Sequence, residues 1–459
     1  MTKSSIFILV LLVFICGFVL WYAPKLQINE ARIENPKERI ELENDLRATY
    51  AQTLGGAILL IALLFAWKRM STTEKIVEVS RQAQMTERFT RAVDQLGASL
   101  LNGEKKFEIR LGGIYSLERI ARESEENHWS VVEILTAYVR EDALRRKGPD
   151  QRSEKMLGET GDAKRFVPSA SPLRAPADIQ AILTVLGRRG LTYQDGEEHR
   201  LDLAHANLQG IFLRDANLRG AILSGADFHG AMLHKVNLID ALLDEADLHS
   251  CNLNYADLQR ANLKNARLEK AYLMSAKLQN VKLTGAVLSG ADLRGADLRG
   301  AELESAKLRG ANLQRAKLSD AKLGGAFLDT ANLREADLER ADLNMVDMRE
   351  ANLERANLEG ANLEGADLQG ANLKEANLEG ANLQRVFLKR ADLEGANLKR
   401  VNLENAELDQ ADFMNANLRK AKGLPIKKLY KVKTLYEVDL ESPLKKQIKK
   451  EHPHLLRKP

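Results

Sequence analysis

Cysteine is nearly absent: Cys16 and Cys251 stand alone in 459 residues, in separate segments. That excludes a disulfide framework and permits a reducing compartment. A dominant charge sign is missing too, because 68 basic residues face 64 acidic ones, net +4, so composition alone does not point to nucleic acid. Chemistry is also sparse. No nucleophile stands with a paired base, and the eight histidines (His128, His199, His205, His229, His234, His249, His452 and His454) are not joined by a Cys or carboxylate set at metal-ligand spacing. The reading is therefore against an enzyme, with no cofactor and no metal.

What is present is a repeat. From Leu201 to Lys420 every position ending in 3 or 8 is Leu, apart from Phe228, Met348 and Phe413. Two residues earlier stands Ala, relaxed in places to Val236, Ile211, Leu201 or Cys251, and between them most often Asp or Asn. Forty-four such units run in unbroken phase, so the period governs any local reading. Period five suits neither a helix nor a long strand. Ala and Leu two apart make one short extended side facing one way. The next two residues make a corner, where Gly220, Gly225, Gly290, Gly295, Gly360 and Gly365 supply the positive φ of a type II turn. Sides and corners wind into a β-solenoid filled by Leu and Ala. The glycines come at five-residue steps and form no phosphate cradle.

The A-(D/N)-L-x-x units resemble those of the pentapeptide-repeat family. The resemblance implies a mainly β fold, a right-handed quadrilateral β-helix with four units per coil. It further implies about twenty residues per turn, about eleven coils, and at ~4.8 Å per strand a rod roughly 53 Å long. Residues twenty apart should then stack. One such column reads Arg309, Asp329, Arg349, Gln369, Lys389, Asp409, with alternating signs wherever neighbours are charged, as cross-strand pairing favours. His229 and His249 should stack likewise, with His234 on the adjoining side.

The segments before the repeat differ in kind. Residues 5–23 carry no charge and are long enough to cross a bilayer, with Trp21 and Tyr22 at the far end, where aromatics favour the interface. Lys3 before an apolar core also suits a signal peptide, but the small-residue cleavage pattern is poor around Leu20–Ala23. A second apolar run, Gly55 to Trp67, extends back to Ala48 and ends at Lys68 and Arg69. Residues 1–70 thus read as a transmembrane hairpin with spans at about 5–23 and 48–67. The positive-inside count is a near tie. Lys68-Arg69 and the lack of disulfides place both termini, and the repeat, in the cytoplasm.

Residues 71–146 read as a juxtamembrane helical region. A stalk runs over 71–101, followed by helices at 104–123 and 127–145, with Asn127 as N-cap. Phe107, Ile109, Leu111, Ile114, Leu117 and Ile120 should form one apolar face. The run FTRAVDQLG…EIRLGGIYSLERIARES…HWSVVEILTAYVRE also resembles the amino-terminal region of membrane-anchored pentapeptide-repeat proteins. Residues 147–176, rich in Gly, Pro, Ser and charge, read as a linker. A capping helix and lead-in follow over 177–200. A solenoid end needs such a cap over its unpaired strand groups. After Lys420 the repeat stops, and 421–459, net +7 where the repeat is net −5, reads as the other cap. Contact of its lysine pairs with anionic lipid or nucleic acid stays open, with a solvated basic cap the plainer reading.

The candidate contact surface lies near the start of the repeat, where the outward middle position, usually Asp or Asn, is apolar. Phe212, Met232 and Tyr272 share one column, and Ile222 and Leu242 share the opposite one. Exposed apolar clusters mark contacts, either with the chain's own segment 107–190 or with a partner. Glu339, Glu359 and Glu379 stack as a like-charged column, costly alone and suited to a basic partner. Two functions follow. One is a membrane-anchored scaffold or protein-interaction surface, with an unknown protein partner or a second copy. The other rests on family members that mimic duplex DNA and bind a type II topoisomerase. A rod of net −5 with mixed signs is a poor duplex mimic.

Overall fold

The computed structural model describes residues 3–30, 35–99, 106–146, 175–190, 192–193, 196–424 and 426–458. The chain divides into two compact units, Met1–Arg88 and Phe89–Pro459.

The first unit holds helix α1 (Lys3–Glu30) and most of α2 (Pro36–Leu96). The expected second span and stalk are one helix that begins at Pro36, well before Ala48. The stretch PKERIELENDLR explains this, since Pro suits the first helical turn and the rest are mostly strong helix formers. The helices meet near their junction: Tyr50 donates to Gln27 Oε1 (3.1 Å), Arg39 to Asn29 Oδ1 (2.7 Å), and the Arg47 guanidinium lies 5.3 Å from the Trp21 ring centre. Both helices are long and apolar enough to cross a membrane, the first over Leu11–Asn29 among the described residues. Among their apolar side chains Phe14, Leu63 and Phe65 are exposed.

In the second unit, α3 (Phe107–Glu123), α4 (Glu125–Arg146) and α5 (Ala177–Gly187) pack together. The N-cap of α4 is Ser124 rather than Asn127: its Oγ accepts the Asn127 N–H (3.3 Å), as a residue three positions before that N–H should. The apolar face of α3 is narrower than expected. Ile114, Leu117 and Ile120 are buried, but Phe107 and Ile109 are exposed, while Arg110 takes an inward place. Gly113 permits the close approach of α2, because a Cβ there would lie 2.7 Å from the Ala92 carbonyl oxygen. The linker expected over 147–176 lies outside the described residues except for its last two. Short strands β1 (Thr192–Tyr193) and β2 (Gly196–Glu197) lead into the repeat.

From Asp202 onward each middle residue bridges in parallel to the residue twenty later, through Asn402↔Lys422. Four units therefore make one coil, each side contributing a single ladder residue. The wall satisfies its backbone almost completely, and the fate of each N–H explains each residue type. In one unit the N–H groups of Leu203 and His205 donate to the next coil (Ile222 and Ser224 C=O), and that of Ile222 donates back to Leu201 C=O. The Ala206 N–H closes the corner onto Leu203 C=O. The remaining N–H, that of Ala204, is accepted by Asp202 Oδ1 at 3.1 Å. The same bond recurs from Gln209 to Asn207, Glu379 to Asn377 and Met414 to Asp412. Asp and Asn are thus corner-formers that mimic a backbone turn, beyond being polar outward positions.

Glycine is less essential than its frequency implies. Every residue numbered in 5 or 0 from His205 to Lys420 has positive φ, whether Gly, Arg, Glu, Ser or Lys. The corner's bonds hold these residues in the left-handed region. Inside, the Leu and Ala positions are buried, and Cys251 takes an Ala place with its thiol on Phe228 C=O (2.8 Å). Burial pushes that thiol up to about 12.

The repeat does not stop at Lys420. Two extra residues are absorbed, and pairing resumes as Asp412↔Thr434 and Asn417↔Asp439. Leu435, Val438 and Leu440 fill the interior and Glu437 takes the positive-φ corner. Thr434–Leu440 (TLYEVDL) is a disguised pair of units, Val438 standing for Ala. Helices α6 (Ile426–Leu429) and α7 (Ser442–Glu451) and a 3₁₀ turn (Pro453–Leu456) complete this end, with Leu455 C=O accepting the Leu435 N–H (2.8 Å).

A candidate interaction surface

The four walls differ most over their first coils. One wall carries Asp227 and Asp247, a second reads Asn217, Asn237 and Asp257, and a third passes from Asp202 through Ile222 and Leu242 to Asn262. The fourth runs Phe212, Met232, Asn252, Tyr272 and carries no charge until Asp292. Phe212, Met232 and Tyr272 are 54, 44 and 52% exposed, whereas Ile222 and Leu242 on the opposite wall are half-buried. At one corner Tyr255, 49% exposed, meets His234 edge-on at 5.4 Å. At the other, His229 and His249 stack 5.0 Å apart, 6° from parallel. The histidines sit where the spacing places them, yet no group of three or more His, Cys, Asp or Glu among the described residues could hold a metal.

The helices of the chain's own segment 107–190 were one of the two expected covers for this wall. They cap the open end of the first coil instead. Gln180 of α5 bonds both backbone groups of Phe212, accepting its N–H at 2.9 Å and donating to its C=O at 2.7 Å. Gly187 C=O accepts the Asn217 N–H (2.9 Å), and a Cβ at Gly187 would fall 2.7 Å from Ala216 Cβ. Arg140 pairs with Asp202. Unpaired backbone groups at a coil end cost more to leave than apolar side chains on a wall, so the end takes the helices and the wall stays open. Behind α5 a buried group locks the three helices. The Arg110 and Asp178 side chains, 6 and 4% exposed, pair at 3.2 Å, and Tyr138 donates to the same carboxylate (2.9 Å). Burial, then the Asp178 charge, raises the Tyr138 hydroxyl. Sequence reasoning missed this triad, since Arg110 lies within an otherwise amphipathic pattern. A groove of about 330 Å³ opens between α3, α4 and α5, floored by Val131, Val132 and Leu135.

The glutamate column meets cations or amides of its own chain. Glu339 pairs with Arg340, Glu359 accepts from the Asn377 amide (3.2 Å), and Glu379 pairs with Lys399 (3.2 Å) and Arg400 (3.5 Å). Those bonds, led by Lys399, hold the Glu379 carboxyl below the usual range. In the mixed column Arg309 and Asp329 do pair, at 3.0 Å, but Arg349 turns to Asp347 on its own side (2.6 Å).

The pentapeptide-repeat family model matches residues 199–385 and 388–422 in eight copies. Among solved structures, the chain is 34% identical to HetL, a pentapeptide repeat protein of the cyanobacterium Nostoc involved in heterocyst differentiation regulation. That match covers 50% of this chain and 91% of HetL, with a TM-score of 0.37. A second Nostoc pentapeptide repeat protein is 32% identical over 25% of this chain and 84% of its own, TM-score 0.14. QnrB1, a plasmid-mediated fluoroquinolone resistance protein, is 17% identical over 44% of this chain and 94% of its own, TM-score 0.23. The search of curated proteins returned no match. With the five-residue unit, the twenty-residue register and these matches together, the chain belongs to the pentapeptide-repeat family, whose members wind as right-handed quadrilateral β-helices and serve generally as structural or interaction proteins.

Proposed function

We propose that this protein is a membrane-anchored, non-enzymatic interaction scaffold. Its two apolar helices hold it in a bilayer, and its rod of about eleven coils presents the Phe212–Met232–Tyr272 wall to a protein partner in the cytoplasm. One observation carries the reading. At most other middle positions stands an Asp or Asn whose side chain accepts a corner N–H, as Asp227 does for His229 (3.0 Å) and Asn217 for Arg219 (3.3 Å), and charged residues such as Arg267, Lys282 and Lys322 take several of the rest. Phe, Met and Tyr have no γ-position acceptor for that N–H, and at Tyr272 the Met274 N–H turns to Asn254 Oδ1 instead (2.8 Å), while the three side chains stay about half exposed. A local rule broken without an internal gain suits a site kept for contact.

Proximity labelling from the full-length protein tests this. The Phe212→Ser/Met232→Ser/Tyr272→Ser variant should keep its melting temperature and membrane fraction yet lose its labelled neighbours. An unchanged labelling pattern would refute the wall as the contact surface. The duplex-mimic reading gains no support from the walls, where Arg260, Arg315 and Arg355 pair with Asp240, Glu335 and Glu375 and interrupt any run of negative charge.

A further inference from the structure

The basic C-terminal segment divides into two sets of cations. Those beside the walls are paired: Lys428 with Glu407 (4.0 Å), Lys431 with Asp409 (4.0 Å) and Lys433 with Asp412 (2.9 Å). Helix α7 differs. Ile448 is buried and Leu444 half-buried, fixing one face against the last coil, while Lys445, Lys446, Lys449 and Lys450 are exposed on the other. Their spacing puts Lys445 over Lys449 and Lys446 over Lys450, two adjacent like-charged rows that destabilise a helix. Lys449 and Lys450 suit the negative end of the helix dipole, but Lys445 and Lys446 sit near its positive end, and no acidic residue occupies the first turn. Lys445 reaches back to Val438 C=O (3.2 Å). Lys446, Lys449 and Lys450 form no ion pair among the described residues. Glu451, the carboxylate on this helix, is engaged by the Tyr430 hydroxyl (2.7 Å). Exposed Lys427, Arg457 and Lys458 add to the same end of the unit.

We propose that this lysine face binds an anionic lipid surface. A helix that stacks four like charges on its exposed side, two of them toward its positive end, is arranged for a negative partner outside the chain. The partner's form follows from the surroundings. A duplex lying along the rod would meet walls of net negative charge, and the exposed face of α7 offers no aromatic ring for base stacking. A flat anionic surface meets the cap alone. Because Leu444 and Ile448 are committed to the coil, α7 has no free apolar face to insert, so the attachment is electrostatic and salt-reversible. The proposal rests in part on the membrane-anchored reading, which makes a bilayer the nearest polyanion.

The test uses the full-length protein in nanodiscs of phosphatidylcholine, mixed with vesicles of phosphatidylcholine alone or with added phosphatidylglycerol. Co-flotation should occur with the anionic vesicles only and be released when salt shortens the screening length. The Lys445→Gln/Lys446→Gln/Lys449→Gln/Lys450→Gln variant should bind on the order of 1,000-fold more weakly while melting as the parent does. Equal flotation with both vesicles, or full binding by the variant, would overturn the proposal. So would displacement of the vesicles by a short DNA duplex that binds more tightly, in favour of nucleic acid. Failure to enter nanodiscs would count against the anchor alone, and the vesicle assay then runs on the free chain.

Discussion

At the scale of single residues, the wall separates neighbours sharply. Leu298 is fully buried, while Arg299 beside it is an exposed side chain forked onto Asp297 at 2.8 and 2.6 Å. Leu298→Lys forfeits ~1.5–3 kcal/mol of burial and adds an unpaired buried charge, so the melting transition should collapse or vanish. Arg299→Lys should cost within ~1 kcal/mol, the range of an exposed pair. Similar melting temperatures for the two would refute the inward assignment. Acid should act through the carboxylates. Hydrogen bonds from Arg260, Arg294 and Arg349 hold Asp240, Asp292 and Asp347 below the usual range. A depressed carboxyl lends stability above its unfolded value and loses it as pH falls through the folded one. The melting temperature should therefore stay level from about pH 7 to pH 5 and fall below roughly pH 4. A decline already complete at pH 5 would contradict these pairings. The inward Leu and Ala were legible from the period alone. The Asp and Asn role was not, because their side-chain acceptance of the N–H two residues on becomes visible only when the other four N–H groups of the unit are placed.

At the scale of elements, phase is everything. Deleting residues 291–294 puts each later Leu out of register with the wall and should unfold the chain beyond the cut. Deleting 291–310 removes one coil and restores every column, so it should melt cooperatively and be shorter by ~4.8 Å. Deleting 291–295 keeps Leu inward but turns all later sides by a quarter turn. A twenty-residue deletion that failed to fold would count against four units per coil. The C-terminal end shows how an offset is tolerated: its two extra residues fall before the last pairs, Asp412↔Thr434 and Asn417↔Asp439, where few coils follow. That continuation was readable in TLYEVDL, but the change of phase hid it. The helical segments were legible as helices, their ends less so. Ser124 took the cap from Asn127, and α2 starts at Pro36 rather than at Ala48, because helix formers outvote charge when an apolar helix already follows.

At the scale of the whole molecule, two units make separate demands. The first carries helices whose apolar side chains are exposed, and two such spans bury far more than a peripheral contact. The protein should stay with membranes through high salt and alkaline extraction, as fractionation would show, and release by either would refute the hairpin. Little in the sequence distinguished an own-chain cover from a partner site at Phe212, Met232 and Tyr272. That question turned on where α5 lands, which is set by unpaired backbone groups at the coil end rather than by side-chain pattern.

The two caps have a further consequence. Asn352 and Asn372, and then Asn357, Asn377 and Asn397, pass amide bonds from coil to coil at 3.0–3.2 Å. These are ladders of the kind that run through amyloid fibrils, here wound from a single strand of chain. Each cap is what separates a finite rod from a seed. Deleting the capping helix α5 removes the Gln180 and Gly187 bonds that close one terminus, and truncation before Ile426 bares the other. Such chains should elongate end to end, raise thioflavin fluorescence, and do so faster when preformed fragments are added, while the capped protein stays inert to the same fragments.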